Sequence, residues 1–397
     1  MPEPLQSKSL RLRTLNALRL AACVSAALLL NVSTFAGERE QAKTLHDRIA
    51  GVPPTPAILD NMASSIASGD ALGAAFEAMN NPSFYNVTLK NFAAPWTNRA
   101  QSVFVPLNDY SATVIGMVRD DVPFNTLLSA DLVYTGGNAA GVPAYSMTDN
   151  AHFEALENQN IDLSQALTSQ AQSQLTDLPA TATAGVMTTR AAAEAFFIDG
   201  TNRAMFRFTL LNHMCSDLEQ VKDISRSPDR IRQDVSRSPG GDSRIFLNRC
   251  IGCHAGMDPL AQAFAYYDFD ENTNRLVYRE NTVDQKYSIN STNFEPGFVT
   301  PDDSWSNYWR EGQNASLGWD PNLPGGGNGA KSMGEELANS EAFAQCQVTK
   351  VFRNVCFRAP ADDEDRSQID AMVNSFKNSN YSLKQVFAES AVYCMGE

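Results

Sequence analysis

Apolar side chains recur three and four residues apart along much of the chain, which is the spacing of amphipathic helices. Within residues 37–90 the pattern is interrupted at Pro53-Pro54 and at Asn80-Asn81-Pro82, so it predicts several short helices. Further helices are predicted in four stretches: 190–222 (one or two helices), 332–358, 367–376 and 383–392. The pattern therefore predicts a mainly α-helical protein.

Three stretches lack this periodicity. Residues 151–180 are polar, which predicts a surface excursion, a segment on the outside of the protein between modules. Residues 225–243 carry two Ser-Arg-Ser-Pro repeats, which predict a loop. Residues 271–330 are rich in Asn, Asp, Pro and Gly but keep the aromatics Trp305 and Trp309. A long irregular segment that keeps large aromatic side chains is expected to pack against the rest of the protein.

The first 36 residues have the pattern of a secretory signal peptide. A basic segment, Lys8–Arg19, precedes an apolar run at Leu20–Leu30, and small residues follow at Ser33–Ala36. We therefore expect cleavage after Ala36 and a periplasmic or secreted protein.

A lipid anchor is the alternative fate of this segment, because Leu20-Ala21-Ala22-Cys23 has the letters of a lipid-attachment site. The apolar core follows Cys23 instead of preceding it, so signal-peptide cleavage is favoured. No other segment reaches the roughly 18 apolar residues of a membrane helix, so no stable membrane span is expected after signal removal.

The chain is acidic, with a net charge of −14 over 397 residues. Removal of the basic leader would bring the charge to about −17. Proteins that bind phosphate backbones or anionic lipid need the opposite sign, so nucleic acid is not an expected partner.

One short motif carries recognisable chemistry: Cys250-Ile251-Gly252-Cys253-His254. The C-x-x-C-H spacing supplies two thiols for the haem vinyl groups and an imidazole for the iron. A zinc site would need a second ligand pair, and the chain has no other C-x-x-C or H-x-x-x-H. The motif therefore predicts one covalent haem c, with His254 as the proximal iron ligand.

The opposite face of the iron is left open by the sequence. Met333 follows a glycine-rich loop and is one candidate distal ligand, and Met187, His213 and Met214 are upstream rivals. An open or water-bound position is a further alternative. Met257, three residues after His254, shares the proximal side and is expected to pack in the core.

Arg244 and Arg249 precede the motif and are candidate partners for the haem propionates through charge-assisted hydrogen bonds. Exposed surface arginines without this role are the alternative.

Four cysteines remain outside the motif and the leader: Cys215, Cys346, Cys356 and Cys394. Cys346 and Cys356 are predicted on one helix and would lie roughly 15 Å apart, too far for a direct bridge. We expect the pairs Cys215–Cys346 and Cys356–Cys394, with free buried thiols as the alternative.

The haem segment from Cys250 through Met257-Asp258-Pro259 to Tyr266-Tyr267-Asp268 resembles that of planctomycete-type cytochrome c proteins. These are large, secreted, multidomain bacterial proteins of unknown function. The resemblance is clear over 185–280 and 332–392 and weaker over 44–135. It implies a haem protein in electron transfer and supplies no substrate.

The expected architecture is helical modules around a cytochrome c-like haem-binding segment, with long irregular loops. The divisions are a signal peptide at 1–36, an N-terminal helical module at 37–180, a haem-binding module at 181–290, and a loop with a C-terminal helical module at 291–397.

Electron transfer to a redox partner protein is the first functional hypothesis. The alternatives are a haem-dependent oxidoreductase or peroxidase with an open distal site, and a structural or sensory haem module. The first is favoured over a catalyst.

Overall fold

A computed structural model describes residues 37–137, 141–198, 200–288 and 293–396. The described residues are 55% helical and 6% strand, which confirms the mainly α fold class. The predicted signal peptide and Cys23 lie outside the described residues. Among the described helices, none is long and apolar enough to cross a membrane.

The α-helices of the described residues lie between residues 38 and 261 and between residues 329 and 394. In order they are α1 Glu38–Ala50, α2 Pro56–Ala67, α3 Ala71–Ala78, α4 Lys90–Ala93, α5 Asp109–Arg119, α6 Ala151–Asn158, α7 Leu163–Ala166, α8 Gln172–Leu175, α9 Arg190–Phe196, α10 Arg203–His213, α11 Ser243–Ile245, α12 Ile251–Ala261, α13 Gly329–Ala338, α14 Glu341–Cys356, α15 Asp363–Asn378 and α16 Leu383–Cys394. Two π-helical turns, Phe84–Leu89 and Phe246–Cys250, run directly into α4 and α12.

The strands of the described residues form short two-stranded antiparallel sheets. β1 Val133–Thr135 pairs with β2 Thr168–Gln170, β3 Tyr267–Asp270 with β4 Arg275–Tyr278, and β5 Ser304–Ser306 with β6 Gly326–Asn328.

The helix breaks near the N-terminus lie where proline and glycine require them. Helix α1 ends at Gly51, which adopts the left-handed conformation at φ 73°. Pro56 occupies the first turn of α2, and the Thr55 hydroxyl accepts a hydrogen bond from the Ile58 amide.

The stretch 332–358, predicted as one helical segment, is divided between α13 and α14. The Ser340 hydroxyl accepts a hydrogen bond from the Phe343 amide at 3.2 Å and so caps the start of a new helix. Apolar periodicity continues through this break, which explains why the pattern alone did not reveal it.

The prediction of a surface excursion at 151–180 is wrong. Phe153 and Leu156 are buried, and β2 pairs with β1. The polar residues of this stretch surround a few large apolar side chains, and those side chains dock it onto the protein.

The main hydrophobic cluster includes buried residues from all three predicted modules, from Ala42 to Cys394. Trp305 and Trp309 are buried in it, so the long irregular segment packs as predicted. A second, smaller cluster lies beside the C-x-x-C-H motif and comprises Ile231, Val235, Phe246 and Ala255, with Cys250 and Ile251 packed against it.

Both expected disulfides are present. Cys215, just after α10, bonds to Cys346 of α14, and Cys356 at the end of α14 bonds to Cys394 of α16. The Cα atoms of the pairs are 5.3 Å and 5.6 Å apart. Helix α14 is thereby tied to the segment that follows α10 and to α16.

Candidate haem-attachment site

A continuous helical run from α11 through the π-helical turn to α12 carries the motif. It begins where the Asp242 carboxylate accepts a hydrogen bond from the Arg244 amide at 2.9 Å. Cys250 is the last residue of the π-helical turn, and Cys253 and His254 follow in the first turn of α12. Residues three and four apart share a helix face, so both thiols and the imidazole lie on one side of this run.

Cys250 and Cys253 are free thiols at partly exposed positions. The Cys253 Sγ lies 3.5 Å from the Leu218 carbonyl oxygen, and burial raises the pKa of this thiol. The preceding loop is held to the motif because the Asp223 amide donates to the Gly252 carbonyl at 2.9 Å. Both thiols are therefore available for bonds to carbon, beside a fixed loop.

The His254 imidazole is oriented by Asp258, one helical turn later. Its Nδ1 lies 3.1 Å from Asp258 Oδ1, and the side chain of His254 is 20% exposed. Because an ionised carboxylate only accepts hydrogen bonds, Nδ1 carries the proton and the lone pair of neutral His254 is on Nε2. Nε2 has no partner among the described residues, so it is the nitrogen that remains for a metal.

Asp258 is completely buried and shared with two arginines. Arg203 donates to both of its oxygens, at 2.8 Å and 3.2 Å, and Arg203 also forms a two-point pair with Asp234. Arg232 Nη2 lies 3.8 Å from Asp258 Oδ1. Burial opposes ionisation of Asp258, but Arg203, His254 and Arg232 together hold the pKa of its carboxyl well below the ordinary value.

Arg232 is almost fully buried beside this group. It donates to the Thr201 hydroxyl, but its Nε and Nη1 form no hydrogen bond with the described residues. The Asp234 and Asp258 carboxylates lie 3.7 Å and 3.8 Å from its nitrogens, so the buried charge of Arg232 is balanced within this group.

Large apolar side chains are exposed next to the motif. Ile224 is 74% exposed and Leu247 is 55% exposed, although both are large hydrophobic side chains. Ile224 is also the residue that faces Gly252, between the two cysteines. Such exposed apolar residues beside two free thiols fit the attachment of a large, mostly apolar ring.

The candidate distal ligands lie in the main core. Met333 is fully buried on α13, Met187 lies close to the neighbouring Gly334, and Met214 is buried at the end of α10. His213 is also buried, with Nε2 2.6 Å from the Tyr110 hydroxyl oxygen. Cys250 and Ile251 of the motif pack against the smaller cluster instead. Which residue binds the distal side of the iron therefore stays a prediction. Met257 is buried in the main core, as expected.

The two arginines predicted to contact propionates lie on the surface. Arg244 pairs with Asp242 at 2.6 Å, and Arg249 is exposed and has no ion pair among the described residues. Both guanidinium groups therefore remain at the surface, and their contact with propionates stays a prediction.

Sequence reasoning missed the residues behind His254. The contact of Asp258 with His254 could have been predicted, because a residue four positions after His254 on a predicted helix faces the imidazole. Arg203 and Arg232 lie 55 and 26 residues from Asp258 in the chain, so only the tertiary fold brings them together.

Within the described ranges, no group of three or more His, Cys, Asp or Glu side chains is arranged to hold a bare metal ion. Comparison with models of known families, with curated proteins and with solved structures finds no match for this chain.

Proposed function

We propose that this protein is an exported c-type cytochrome that carries one covalent haem and transfers single electrons. The observation that carries the proposal is the joint placement of the Cys250 and Cys253 thiols and the His254 imidazole on one helix face. Cys250 and Cys253 would hold the haem covalently, and His254 Nε2 would bind its iron. The bound group would supply a one-electron Fe(II)/Fe(III) couple.

The surrounding residues would have separate tasks in this protein. Asp258 fixes the tautomer of His254, and the exposed apolar side chains of Ile224 and Leu247 would pack against the haem and limit the access of water to it. The resemblance of the segment around Met257-Asp258-Pro259 to planctomycete-type cytochrome c proteins supports the same function.

Export is supported by the signal-peptide pattern of residues 1–36 and by the two disulfides, which are typical of oxidising compartments. The electron-transfer partner would then be another redox protein outside the cytoplasm.

A haem enzyme such as a peroxidase is the second candidate, and the His254–Asp258 contact favours it. A carboxylate partner makes an imidazole ligand more electron-rich. The same contact is compatible with electron transfer, so the state of the distal iron position separates the two functions.

The visible spectrum of the ferric protein tests this distinction. An electron carrier with two protein ligands is expected to be low-spin and to bind cyanide slowly. A high-spin ferric protein that binds cyanide rapidly would contradict electron carriage as the primary function and support the enzyme.

Met333→Leu, Met187→Leu, Met214→Leu and His213→Gln, each made separately, would identify the distal ligand. Loss of the low-spin ferric spectrum in only one variant assigns that residue. If all four variants keep the wild-type spectrum, none of these side chains binds the iron.

A further inference from the structure

The candidate iron ligand forms a hydrogen bond with a buried carboxylate that belongs to a group of four charged side chains. His254 Nδ1 meets Asp258 Oδ1 at 3.1 Å, and the Asp258 side chain has no exposed surface. Arg203, Arg232 and Asp234 complete the group, which contains two positive and two negative charges. The charges of these four side chains balance.

The arginines fix the position and charge of Asp258. Arg203 Nε and Nη2 donate to its two oxygens, and the Arg232 amide lies 3.4 Å from Oδ2. A carboxylate that accepts two hydrogen bonds from one guanidinium group and one from a backbone amide has little freedom to rotate away from the imidazole. Arg203 also binds Asp234 through two bonds, so the guanidinium itself is anchored from both sides.

We propose that Asp258 is a positioning residue that orients His254 and lowers the reduction potential of the haem, while Arg203 limits this effect. The inference rests on the proposed function and deepens it. A hydrogen bond from Nδ1 to a carboxylate increases electron density on Nε2, which favours ferric over ferrous iron. Arg203 draws charge from the same carboxylate, so it opposes that preference.

The test is the midpoint potential of the haem-loaded full chain in three variants. Asp258→Asn keeps the size of the side chain and removes its charge. At a fixed solution potential it is expected to raise the ratio of ferrous to ferric haem about tenfold or more, which is about 59 mV for one electron. Asp258→Glu keeps the carboxylate and is expected to stay nearer the wild-type potential.

Asp234→Asn is the matched control. It removes the same charge from the same arginine, but Asp234 is not a contact of His254. We expect its ratio to change by less than about threefold, because the effect of a charge weakens with distance. A shift in Asp258→Asn no larger than that in Asp234→Asn would overturn the inference.

Arg203→Gln tests whether Arg203 opposes the effect of Asp258. This variant can be measured even if Asp258→Asn does not fold. It is expected to lower the midpoint potential, since Asp258 then loses a competing partner. An unchanged or raised potential would overturn the inference. A purely structural role would reduce folding or haem content in these variants without shifting their potentials in opposite directions.

The two proposals fail in different ways. If the wild-type chain acquires no covalent haem, the proposed function fails and this inference fails with it. If the wild-type chain carries haem but the Asp258 and Arg203 variants keep its potential, only the role of Asp258 is rejected.

Discussion

At the scale of single residues, buried polar side chains set how the fold responds to pH. His213 is buried between aromatic rings, with Nε2 against the Tyr110 hydroxyl and its ring edge-on to Trp96. Burial and the nearby Lys350 hold the pKa of His213 well below its ordinary value. The imidazole therefore stays neutral in the folded protein under conditions where an unfolded chain would protonate it.

The folded protein is consequently expected to lose stability as the pH falls through the unfolded-state pKa of about 6.5. The unfolded chain binds a proton there and the folded chain does not. The contribution of His213 to the free energy of unfolding should fall by about 1 kcal/mol between pH 7 and pH 5.5. Urea unfolding of the wild type and of His213→Gln at both pH values measures it, and an equal pH dependence in the two proteins would reject this account.

The sequence predicted only those site residues whose relative positions follow from their spacing along a single helix. Cys250, Cys253 and His254 could be placed on one face because they are three and four residues apart on a helix. Arg203 and Arg232 could not be assigned to the site from the sequence, because their contacts with Asp258 depend on how distant elements pack. The same holds for the burial of Met333.

At the scale of elements, the packing of α12 against the irregular segment 271–330 depends on Gly256. A methyl group at this position would overlap the indole ring of Trp309, which is fully buried. A methyl group at Gly252, one turn earlier, would lie 3.2 Å from the Cγ2 atom of exposed Ile224. The two glycines therefore occupy one helix but have different tolerance for a side chain.

Gly256→Ala is expected to destabilise the protein by about 1–3 kcal/mol, because the fully buried ring of Trp309 would have to shift. Gly252→Ala should change the free energy of unfolding by less than about 1 kcal/mol, since Ile224 can shift and alanine favours a helix. Denaturant unfolding of both variants measures the difference. Equal stabilities would show that Trp309 does not restrict position 256.

Apolar periodicity was sufficient to predict most helices, including α14, α15 and α16, because each buries one stripe of side chains. Apolar periodicity failed where a helix boundary depended on a single capping residue, and where only a few apolar residues anchor a mostly polar segment. The Ser340 cap divides a continuous apolar pattern, and Phe153 and Leu156 dock a segment whose other residues are mostly polar.

At the scale of the whole molecule, the two disulfides join distant parts of the chain through α14. Cys215–Cys346 closes a separation of 131 residues, and Cys356–Cys394 closes one of 38 residues. Each restricts the unfolded chain, and the restriction grows with the length of the closed segment.

Replacing either pair by alanine is expected to cost about 2–5 kcal/mol of stability. Loop-closure entropy predicts that loss of Cys215–Cys346 costs about 1 kcal/mol more than loss of Cys356–Cys394. Urea unfolding of the two double variants measures both costs. A double variant as stable as the wild type would show that its disulfide does not support the fold.

Covalent haem attachment is the claim on which the functional account depends, and the mass of the intact exported protein tests it most directly. The full chain would be expressed in a bacterial host that attaches haem c, beside a Cys250→Ser/Cys253→Ser variant. We predict that the denatured wild type has the mass of the processed chain plus one haem, and that the variant has the mass of the processed chain alone. A wild type without bound haem, or a variant that keeps covalent haem, would contradict the account.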